Sequence, residues 1–336
     1  MILQAGTVGH YVTAMRAIVY RGAGGVEVID LATVSTPEPG PDQVLVRVQA
    51  SGLNRADVIQ RRGGYPAPPG WPADIPGLEY AGVVEAVGPG VAGVASGDRV
   101  MGLVGGGAQA EYLVTHFREV IPVPAGLTYE QAAAIPEAFL TAYDALVIRG
   151  RIRAGERVLV HAIGSGVSTA AVQLARWLGG TVVGTSRTRS KIDRSLTLGV
   201  SEGIDTAAGG FSSQLSQPVD VILDFFGGAA LNENLRCLNL KGRLVVLGTL
   251  QGATAESVDV GRILRGRLEV IGTVMRSRPH EERVPLVEEF VNRVMPEFAA
   301  GRMAPIIGAS FPMTALAAAH AAMEANEVFG KIVLNW

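Results

Sequence analysis

Hydrophobic positions follow two different patterns along the chain, and the change falls near Thr128. Before that residue, apolar positions form short runs such as 15–20, 44–54 and 78–88, separated by turns rich in glycine and proline. Many short strands joined by such turns are typical of small barrels and sandwiches. The first part of the chain is therefore predicted to be a compact, barrel-like β domain, with further strands at 26–31, 96–104 and 108–115.

From Thr128 onward, apolar strand-like runs alternate with amphipathic helical segments. The alanine-rich segment 129–147 is predicted to be helical, with a break at Pro136. Alternation of strand and helix over such a length predicts a parallel sheet with helices on both faces, which is a doubly wound α/β fold. The predicted strands are 157–162, 181–186, 219–226, 242–248 and 268–274, and the predicted helices between them are 167–178, 190–199 and 229–238.

The alternation ends after about Val274. Helices at 285–298 and 313–326, with strands at 305–311 and 331–336, are expected to return and complete the first domain. We therefore expect a flexible extension (residues 1–14), a β-rich domain (15–136 and 273–336) and a doubly wound domain (137–272).

The strand at 157–162 leads into a turn, IGSGV (163–167), from which a helix starts without a breaker. A turn without side-chain bulk at a helix N-terminus suits a pyrophosphate, because free N–H groups and the helix dipole both favour an anion. The usual G-x-G-x-x-G spacing is not met, since Ser168 stands where the last glycine would be. The turn is predicted to bind a dinucleotide, and an ordinary strand-turn-helix connection is the alternative.

The end of the second sheet strand distinguishes NADH from NADPH. An NAD site usually places Asp or Glu there to hold the ribose 2′-OH, whereas a 2′-phosphate favours cations and hydroxyls. Here the segment TSRTRSK (185–191) carries Arg187, Arg189 and Lys191, with no acid before Asp193. We therefore predict NADPH as the cofactor, with a solvated helix start as the alternative.

The loop NRADVIQRRGGYP (54–66) holds the polar side chains of Asn54, Asp57 and Tyr65. An amide, a carboxylate and a phenol can orient a carbonyl and supply a hydrogen bond, but they cannot support covalent catalysis. Turn capping is the favoured interpretation for Asp57. For Asn54 and Tyr65, a structural role and a role in a binding site are equally favoured: Asn54 could cap a turn, and the Tyr65 ring could cover a core edge.

Composition restricts the partners of the chain. The net charge of -2 offers no general attraction to nucleic acid or to an anionic membrane, and 48% of residues are hydrophobic, which is enough for large cores. No run approaches a membrane span, and residues 1–14 lack the features of a signal peptide. We expect a small-molecule partner and a cytoplasmic location, where the single cysteine, Cys237, is buried and inert.

Metal-dependent and hydrolytic chemistry are not indicated. The histidines share no ligand spacing with one another or with Cys237, so no zinc site is expected. His161 lies beside the glycine turn but is expected to be packed or bonded to backbone. Ser165 has no recognisable partner for a Ser-His-Asp arrangement.

Seven motifs occur in a fixed order between Met15 and the chain end. Through these motifs the sequence resembles the zinc-independent medium-chain dehydrogenases/reductases of the quinone oxidoreductase group. The motifs are LNRADVIQRRGGYP (53–66), PGLEYAGVVEAVG (76–88), GDRVMGL (97–103), AAAIPEAFLTAYDAL (132–146), VLVHAIGSGVSTAAVQLAR (158–176), DFFGG (224–228) and AHAAMEANEVFGKIVL (319–334).

The resemblance implies a GroES-like catalytic domain beside a Rossmann domain that binds NADPH. It further implies hydride transfer from NADPH to a quinone or related conjugated carbonyl. An enoyl or alkenal reductase is the alternative among enzymes, and a non-catalytic NADPH-binding protein is the alternative from another class.

The resemblance also assigns residues by position. Asn54, Tyr65 and Thr141 would face the nicotinamide and the substrate, with Tyr65 and Asn54 in the catalytic role. The cofactor would further contact Ser165, Gly166 and Val167 (pyrophosphate), Ser186, Arg187 and Lys191 (2′-phosphate), Gly248, Thr249 and Leu250 (nicotinamide side), and Phe329 and Lys331 (groove closure).

Further expectations follow from the resemblance. Zinc-containing relatives carry a cysteine near Asn54 and a histidine at Leu78, so no metal is implied here and Glu79 is expected to be structural. Ser168 should hold the helix slightly further out, and Asp205-Thr206 replaces a tyrosine that relatives use near the adenosine, which suggests weaker NADPH binding. Relatives pair the strand at 268–274 across a two-fold axis, which predicts a homodimer.

Overall fold

The structure, a computed structural model, describes residues 13–207 and 209–336. Residues 1–12 of the predicted extension lie outside the described residues, and the first strand begins at Ala14. The predicted strand at 26–31 is partly wrong, because Val26–Val28 forms a 3₁₀ turn in which the Glu27 carboxylate accepts from Gly25 N at 2.7 Å. The strands and the α-helix of the β-rich part before Thr128 are β1 (Ala14–Tyr20), β2 (Ile29–Ser35), β3 (Gln43–Leu53), α1 (Arg55–Arg61), β4 (Glu79–Val87), β5 (Arg99–Leu103), β6 (Tyr112–His116) and β7 (Val120–Pro122).

Two short helices connect the β-rich part to the second sheet, α2 (Tyr129–Ala133) and α3 (Pro136–Tyr143), and a single π-helical segment, Asp144–Arg149, continues α3. Thr128 caps α2 through its hydroxyl, which accepts from Gln131 N at 3.2 Å. Pro136 occupies the first turn of α3, where its missing N–H costs nothing. The predicted break at Pro136 is confirmed, and it gives α3 its own N-terminus.

The second sheet contains six parallel strands in the order β10-β9-β8-β11-β12-β13. This arrangement is the 3-2-1-4-5-6 order of a doubly wound dinucleotide-binding fold, with its switch point between β8 and β11. The predicted α/β class is therefore confirmed. Its elements are β8 (Arg157–Val160), α4 (Gly166–Trp177), β9 (Thr181–Ser186), α5 (Arg189–Thr197), β10 (Glu202–Asp205), β11 (Val219–Asp224), α6 (Leu231–Cys237), β12 (Leu238–Val246), α7 (Val260–Gly266) and β13 (Glu269–Gly272).

The final segment returns to the first sheet. Strand β15 (Lys331–Asn335) pairs antiparallel with β3, with Ile332 opposite Leu53, and pairs parallel with β14 (Ile307–Pro312). Helix α8 (His280–Arg293) begins five residues before the predicted start at 285 and includes Pro285, and α9 (Met295–Ala299) and α10 (Leu316–Glu324) follow. The seven-stranded sheet thus combines β3 to β7 with the C-terminal strands β14 and β15, whereas β1 and β2 pair with each other in a separate two-stranded sheet. The exact domain boundaries at 136/137 and 272/273 stay a prediction.

One apolar core runs between the two sheets. It includes Ala81 on β4, Phe139 on α3, Leu174 on α4 and Val160 on β8, all at most 1% exposed. Helix α3 therefore lies at the junction, with the β-rich sheet on one side and α4 on the other. A side chain on α3 that does not enter this core can face the cleft between the two sheets.

Candidate active site

The predicted dinucleotide turn has the geometry of an anion site at a helix N-terminus. Ser165 is the N-cap of α4, and its Oγ accepts from Ser168 N at 3.2 Å. The first helical bond runs from Thr169 N to Ser165 O at 2.9 Å, so the N–H groups of Gly166 and Val167 precede it. These donors point out of the helix end, where a phosphate oxygen can accept them.

Ser168, which replaces the usual glycine, is fully buried between helix and strand. Its hydroxyl donates to His161 O at 2.9 Å and lies 2.7 Å from Ser165 Oγ. The extra atoms are therefore accommodated by a hydrogen bond to the strand. The His161 ring is also fully buried between Thr185 Oγ1 at 2.8 Å and Asn234 Oδ1 at 2.7 Å, which matches a packed histidine.

The residues predicted to hold a 2′-phosphate lie at the C-terminal end of β9. Ser186 ends this strand, Arg187 is exposed, and Lys191 lies in the first turn of α5. Burial, followed by the nearby Arg55 and Arg194, lowers the pKa of Lys191, so several cations share this corner. The Lys191 ammonium donates to Asn326 O.

Gly248, Thr249 and Leu250 follow β12 at the same edge of the sheet. Leu250 N donates to Phe225 O at 3.0 Å, and Leu247 N donates to Asp224 O at 2.7 Å, so the turn packs against the end of β11. The carboxyl ends of parallel strands on either side of the switch point therefore converge here.

The segment before β15 crosses the glycine turn. Gly330 N donates to Gly164 O at 2.8 Å, and the guanidinium of Arg194 lies 4.4 Å from the centre of the Phe329 ring. A Cβ at Gly166 would lie 2.4 Å from Lys331 Cδ, and a Cβ at Gly164 would lie 2.6 Å from Lys191 Cδ. A side chain at either glycine would therefore displace a lysine that lies directly on the turn.

The head group of Lys331 leaves the glycine turn and enters a buried cluster of the β-rich domain. Its Nζ donates to a carboxylate oxygen of Glu79, to Asn54 Oδ1 at 2.7 Å and to Leu53 O at 3.1 Å. Glu79 is fully buried, and Asn54 Nδ2 donates to the same Glu79 oxygen at 2.9 Å. The other Glu79 oxygen accepts from Glu137 N at 2.8 Å. The Glu79 carboxylate thus connects its own strand β4 to the N-cap of α1, to α3 and to β15.

Residues 55–61 of the predicted loop instead form helix α1, and Asp57 completes the cap of its first turn, in agreement with the favoured capping role. Its carboxylate accepts from Asn54 N at 2.8 Å and from Gly77 N at 3.2 Å. Burial raises the pKa of Asp57 to about 6, although these two bonds and the charges of Arg276 and Lys331 oppose the rise.

Tyr65 is held by an arginine that the sequence did not reveal. Arg276 Nη1 donates to Tyr65 O at 2.8 Å, and its guanidinium lies 5.0 Å from the centre of the Tyr65 ring. The same arginine donates to Gly105 O at 2.8 Å and to Gln60 Oε1 at 2.7 Å. Burial, and next the charge of Glu137, raises the pKa of Tyr65, so this side chain stays a neutral phenol.

Glu137 and Thr141 lie one turn apart on α3, and Thr141 was assigned to the cleft by resemblance. Glu137 Oε2 and Thr141 Oγ1 are both buried and have no hydrogen-bond partner among the described residues. Burial, with a smaller contribution from the Glu79 carboxylate, raises the pKa of Glu137 to about 7. Glu137 was not among the residues predicted from the sequence. Its spacing of four residues from Thr141, which puts both on one face of a helix, is the sequence feature that indicates it.

No group of three or more His, Cys, Asp or Glu side chains within 13–207 and 209–336 is arranged to hold a metal ion. Over the same described residues, no helix is both long and apolar enough to cross a membrane. Cys237 is buried and unpaired at the end of α6.

A parallel dinucleotide-type sheet packed against a β-rich domain, with hydrogen-bonding side chains gathered at their junction, is the architecture of a two-domain oxidoreductase. By sequence, residues 40–125 match the alcohol dehydrogenase GroES-like domain, and residues 166–292 match the zinc-binding dehydrogenase family. Quinone oxidoreductase of Rattus norvegicus is 31% identical over 95% of this chain and 97% of its own length. The chain therefore belongs to the medium-chain dehydrogenase/reductase superfamily and is of the quinone oxidoreductase type.

Two further relatives extend the comparison. NorB, a spectinabilin polyketide synthase system protein of Streptomyces orinoci, is 36% identical over 93% of this chain, which spans only 14% of NorB. A solved mycobacterial structure, described as complexed with NADPH, superimposes with a TM-score of 0.85 at 26% identity, over 96% of this chain and 100% of that chain.

Proposed function

We propose that this protein transfers a hydride from NADPH to a quinone or a related conjugated carbonyl, without zinc. The observation that carries the proposal is the position of Lys331. Its aliphatic chain lies on Gly166 of the dinucleotide turn, and its ammonium donates to Asn54 Oδ1 at 2.7 Å. The glycine turn and the polar residues that follow β3 are therefore one side chain apart, which supports a single site for cofactor and acceptor.

The residues present fit NADPH. Gly166 and Val167 offer backbone donors to the pyrophosphate, and Arg187 and Lys191 offer cations where the 2′-phosphate of this fold lies. Bound NADPH would supply the hydride. The similarity to the mycobacterial protein described as complexed with NADPH supports this cofactor, and the assignment over NADH rests on the two cations.

The substrate side would act by positioning and hydrogen bonding. The neutral phenol of Tyr65 can donate to an acceptor oxygen as negative charge develops there, and Asn54 can orient the nicotinamide or the acceptor. The zinc-free chemistry follows from Asn54 and Leu78, which stand where zinc-containing relatives carry cysteine and histidine. A cytoplasmic location remains part of this proposal and accords with the buried, unpaired Cys237.

Reduction of an activated alkene is a second candidate function. The similarity to a stretch of NorB, a polyketide synthase system protein, favours this alternative, in which the hydride would reach the β-carbon of an unsaturated ketone or thioester. The cofactor site would be the same, so only the acceptor separates the two functions. A non-catalytic NADPH-binding protein is the third possibility.

NADPH oxidation, followed by absorbance with ortho- and para-quinones, alkenals and an enoyl thioester, tests these candidates. Quinone turnover that prefers NADPH over NADH is expected. Turnover with the enoyl thioester or the alkenals alone would move the function to alkene reduction, and NADPH binding without any turnover would favour the non-catalytic role. Tyr65→Phe should lower kcat with little change in NADPH affinity, and an unchanged rate would remove Tyr65 from the mechanism.

We further propose a homodimer formed through the edge strand β13. Val270 on this strand is 46% exposed, and Leu264 on the adjoining α7 is 77% exposed. An uncovered apolar sheet edge favours pairing with a second copy. Light scattering at micromolar concentration should report a dimer, and a monomer would contradict the proposal.

A further inference from the structure

We propose that the Glu137 carboxyl group is the proton donor to the acceptor oxygen when hydride arrives from NADPH. This inference rests on the proposed function and names the residue that completes it. Its geometry is independent of the family assignment, because it depends on α3 at the junction of the two sheets.

The first argument is the unsatisfied hydrogen-bonding capacity of α3. Glu137 Oε2 and Thr141 Oγ1 are buried without a partner among the described residues, and they share one face of the helix at i and i+4. Leaving such groups unpaired costs about 1–3 kcal/mol each, so native proteins rarely keep them without a purpose. An acceptor oxygen that reaches this face of α3 would offer these groups the missing partner.

The second argument is the set of groups that surround Glu137. The titratable groups acting on its carboxyl are Glu79 on β4, Lys331 on β15, Asp57 on α1 and Arg276 after β13, and Glu137 in turn acts on the phenol of Tyr65. Lys331 is already bonded to Glu79. Burial and the Glu79 carboxylate raise the pKa of Glu137 to about 7, which leaves a protonated fraction at neutral pH.

Glu137 is better placed to release a proton than its neighbours. Burial and Glu137 itself raise the pKa of Tyr65 above its ordinary value, so the phenol can donate a hydrogen bond but gives up its proton reluctantly. Asp57, in the first turn of α1, already accepts from Asn54 N and Gly77 N. A carboxylic acid with a pKa near the operating pH combines a useful protonated fraction with ready transfer.

The step balances with NADPH as the reductant. The acceptor gains a hydride, carrying two electrons and one proton, and NADPH is oxidised to NADP⁺. The O–H bond of Glu137 breaks, and its proton forms the O–H bond of the reduced acceptor. The resulting carboxylate regains a proton from solvent, so that quinone, NADPH and H⁺ give hydroquinone and NADP⁺.

The experiment compares the pH dependence of kcat in the wild-type protein and in Glu137→Gln, with NADPH affinity measured separately by fluorescence titration. Wild-type kcat should fall as pH rises through about 7, because the donating form is lost. Glutamine keeps a hydrogen-bond donor but cannot transfer a proton, so kcat should drop on the order of 100-fold and become independent of pH. NADPH affinity should stay unchanged.

Two variants make the result specific. Glu281→Gln removes an exposed first-turn glutamate of α8 and should behave as wild type. Glu137→Asp retains a carboxyl group and should retain a pH-dependent rate, which keeps the test decisive if the glutamine variant folds poorly.

The possible results separate the proton-donor role of Glu137 from the proposed function. Quinone turnover by Glu137→Gln at the wild-type rate and with the wild-type pH profile would overturn the donor role and leave the proposed function intact. A lower rate that still falls near pH 7 would assign the proton to another group and also overturn it. Wild-type protein that binds NADPH but reduces no acceptor would overturn the proposed function and the donor role together.

Discussion

The dinucleotide side and the substrate side of the candidate site differ in the groups that they offer to a ligand. The dinucleotide side consists of backbone N–H groups at Gly166 and Val167 and of partly or fully exposed side chains such as Arg187 and Lys191. The substrate side buries Glu79 and Lys331 within one network, with Glu137 beside it. Backbone donors bind an anion at little cost to the fold, whereas buried charges must be compensated locally. Substitutions that break the buried charge network of the substrate side should therefore threaten folding, and those on the dinucleotide side mainly binding.

The largest expected effect is that of Lys331→Met. This change leaves the carboxylate of Glu79 buried without its cation, and breaking a buried pair typically costs about 3–5 kcal/mol of unfolding free energy. Urea unfolding followed by circular dichroism measures it. Lys241→Met, at an exposed site on β12, is the control and should stay within about 0.5 kcal/mol of wild type.

A double variant sharpens this result. Glu79→Gln combined with Lys331→Met removes both charges, so it should destabilise the protein by less than the sum of the two single changes. Strict additivity would show that the ion pair is not the source of the effect. Equal losses at Lys331 and Lys241 would show that burial of the Lys331–Glu79 pair is not the cause of the loss.

The next effect is a dependence of stability on pH. The pKa of Glu137 in the fold, about 7, lies above its ordinary value of 4.5, so the folded state holds a proton that the unfolded state has released. This contribution is complete below pH 4.5 and is lost as pH rises to 7. Relative to wild type, Glu137→Gln should gain stability across that window, by at most about 1.4 kcal/mol per pH unit.

Glu297→Gln provides a control of opposite sign. The hydrogen bond from Arg302 lowers the pKa of Glu297, so this group adds stability above its ordinary pKa and loses it as pH falls. Its variant should therefore lose stability relative to wild type as pH rises. Parallel curves for wild type and Glu137→Gln would show that Glu137 is not buried as a neutral acid.

The same contrast explains what the sequence could reveal. The dinucleotide side is local, because β8, the turn and α4 are contiguous, and β9 was predicted with its observed ends at 181 and 186. Strand β10 and helix α7 were not predicted. The segment EGID (202–205) is short and contains a glycine, and the segment VGRILRG (260–266) has a glycine near its start and another at its end. Neither omission concealed the turn.

The substrate side depends on residues distant in sequence. Arg276 contacts Tyr65 across 211 positions, and Lys331 contacts Glu79 across 252 positions, so no local pattern indicates either pair. Lys331 was assigned to the cofactor groove by resemblance, and the contacts of its ammonium with Glu79 and Asn54 could not be inferred from periodicity. Sequence motifs identified the segment 54–66, but only the tertiary packing around it shows which of its polar groups are already hydrogen-bonded.

The smallest expected effect concerns the choice of cofactor. Arg187→Gln removes an exposed cation at the end of β9, so the KM for NADPH should rise by about 10-fold, equivalent to about 1.4 kcal/mol, while the KM for NADH stays unchanged. Arg189→Gln is the matched control, because Arg189 pairs with Asp193 and should not be available to a phosphate. Steady-state kinetics with both nucleotides measure the two changes. A similar rise for both cofactors would mean that Arg187 supports the adenosine end in general, and equal rises in the two variants would mean that net positive charge, rather than one placed guanidinium, selects NADPH.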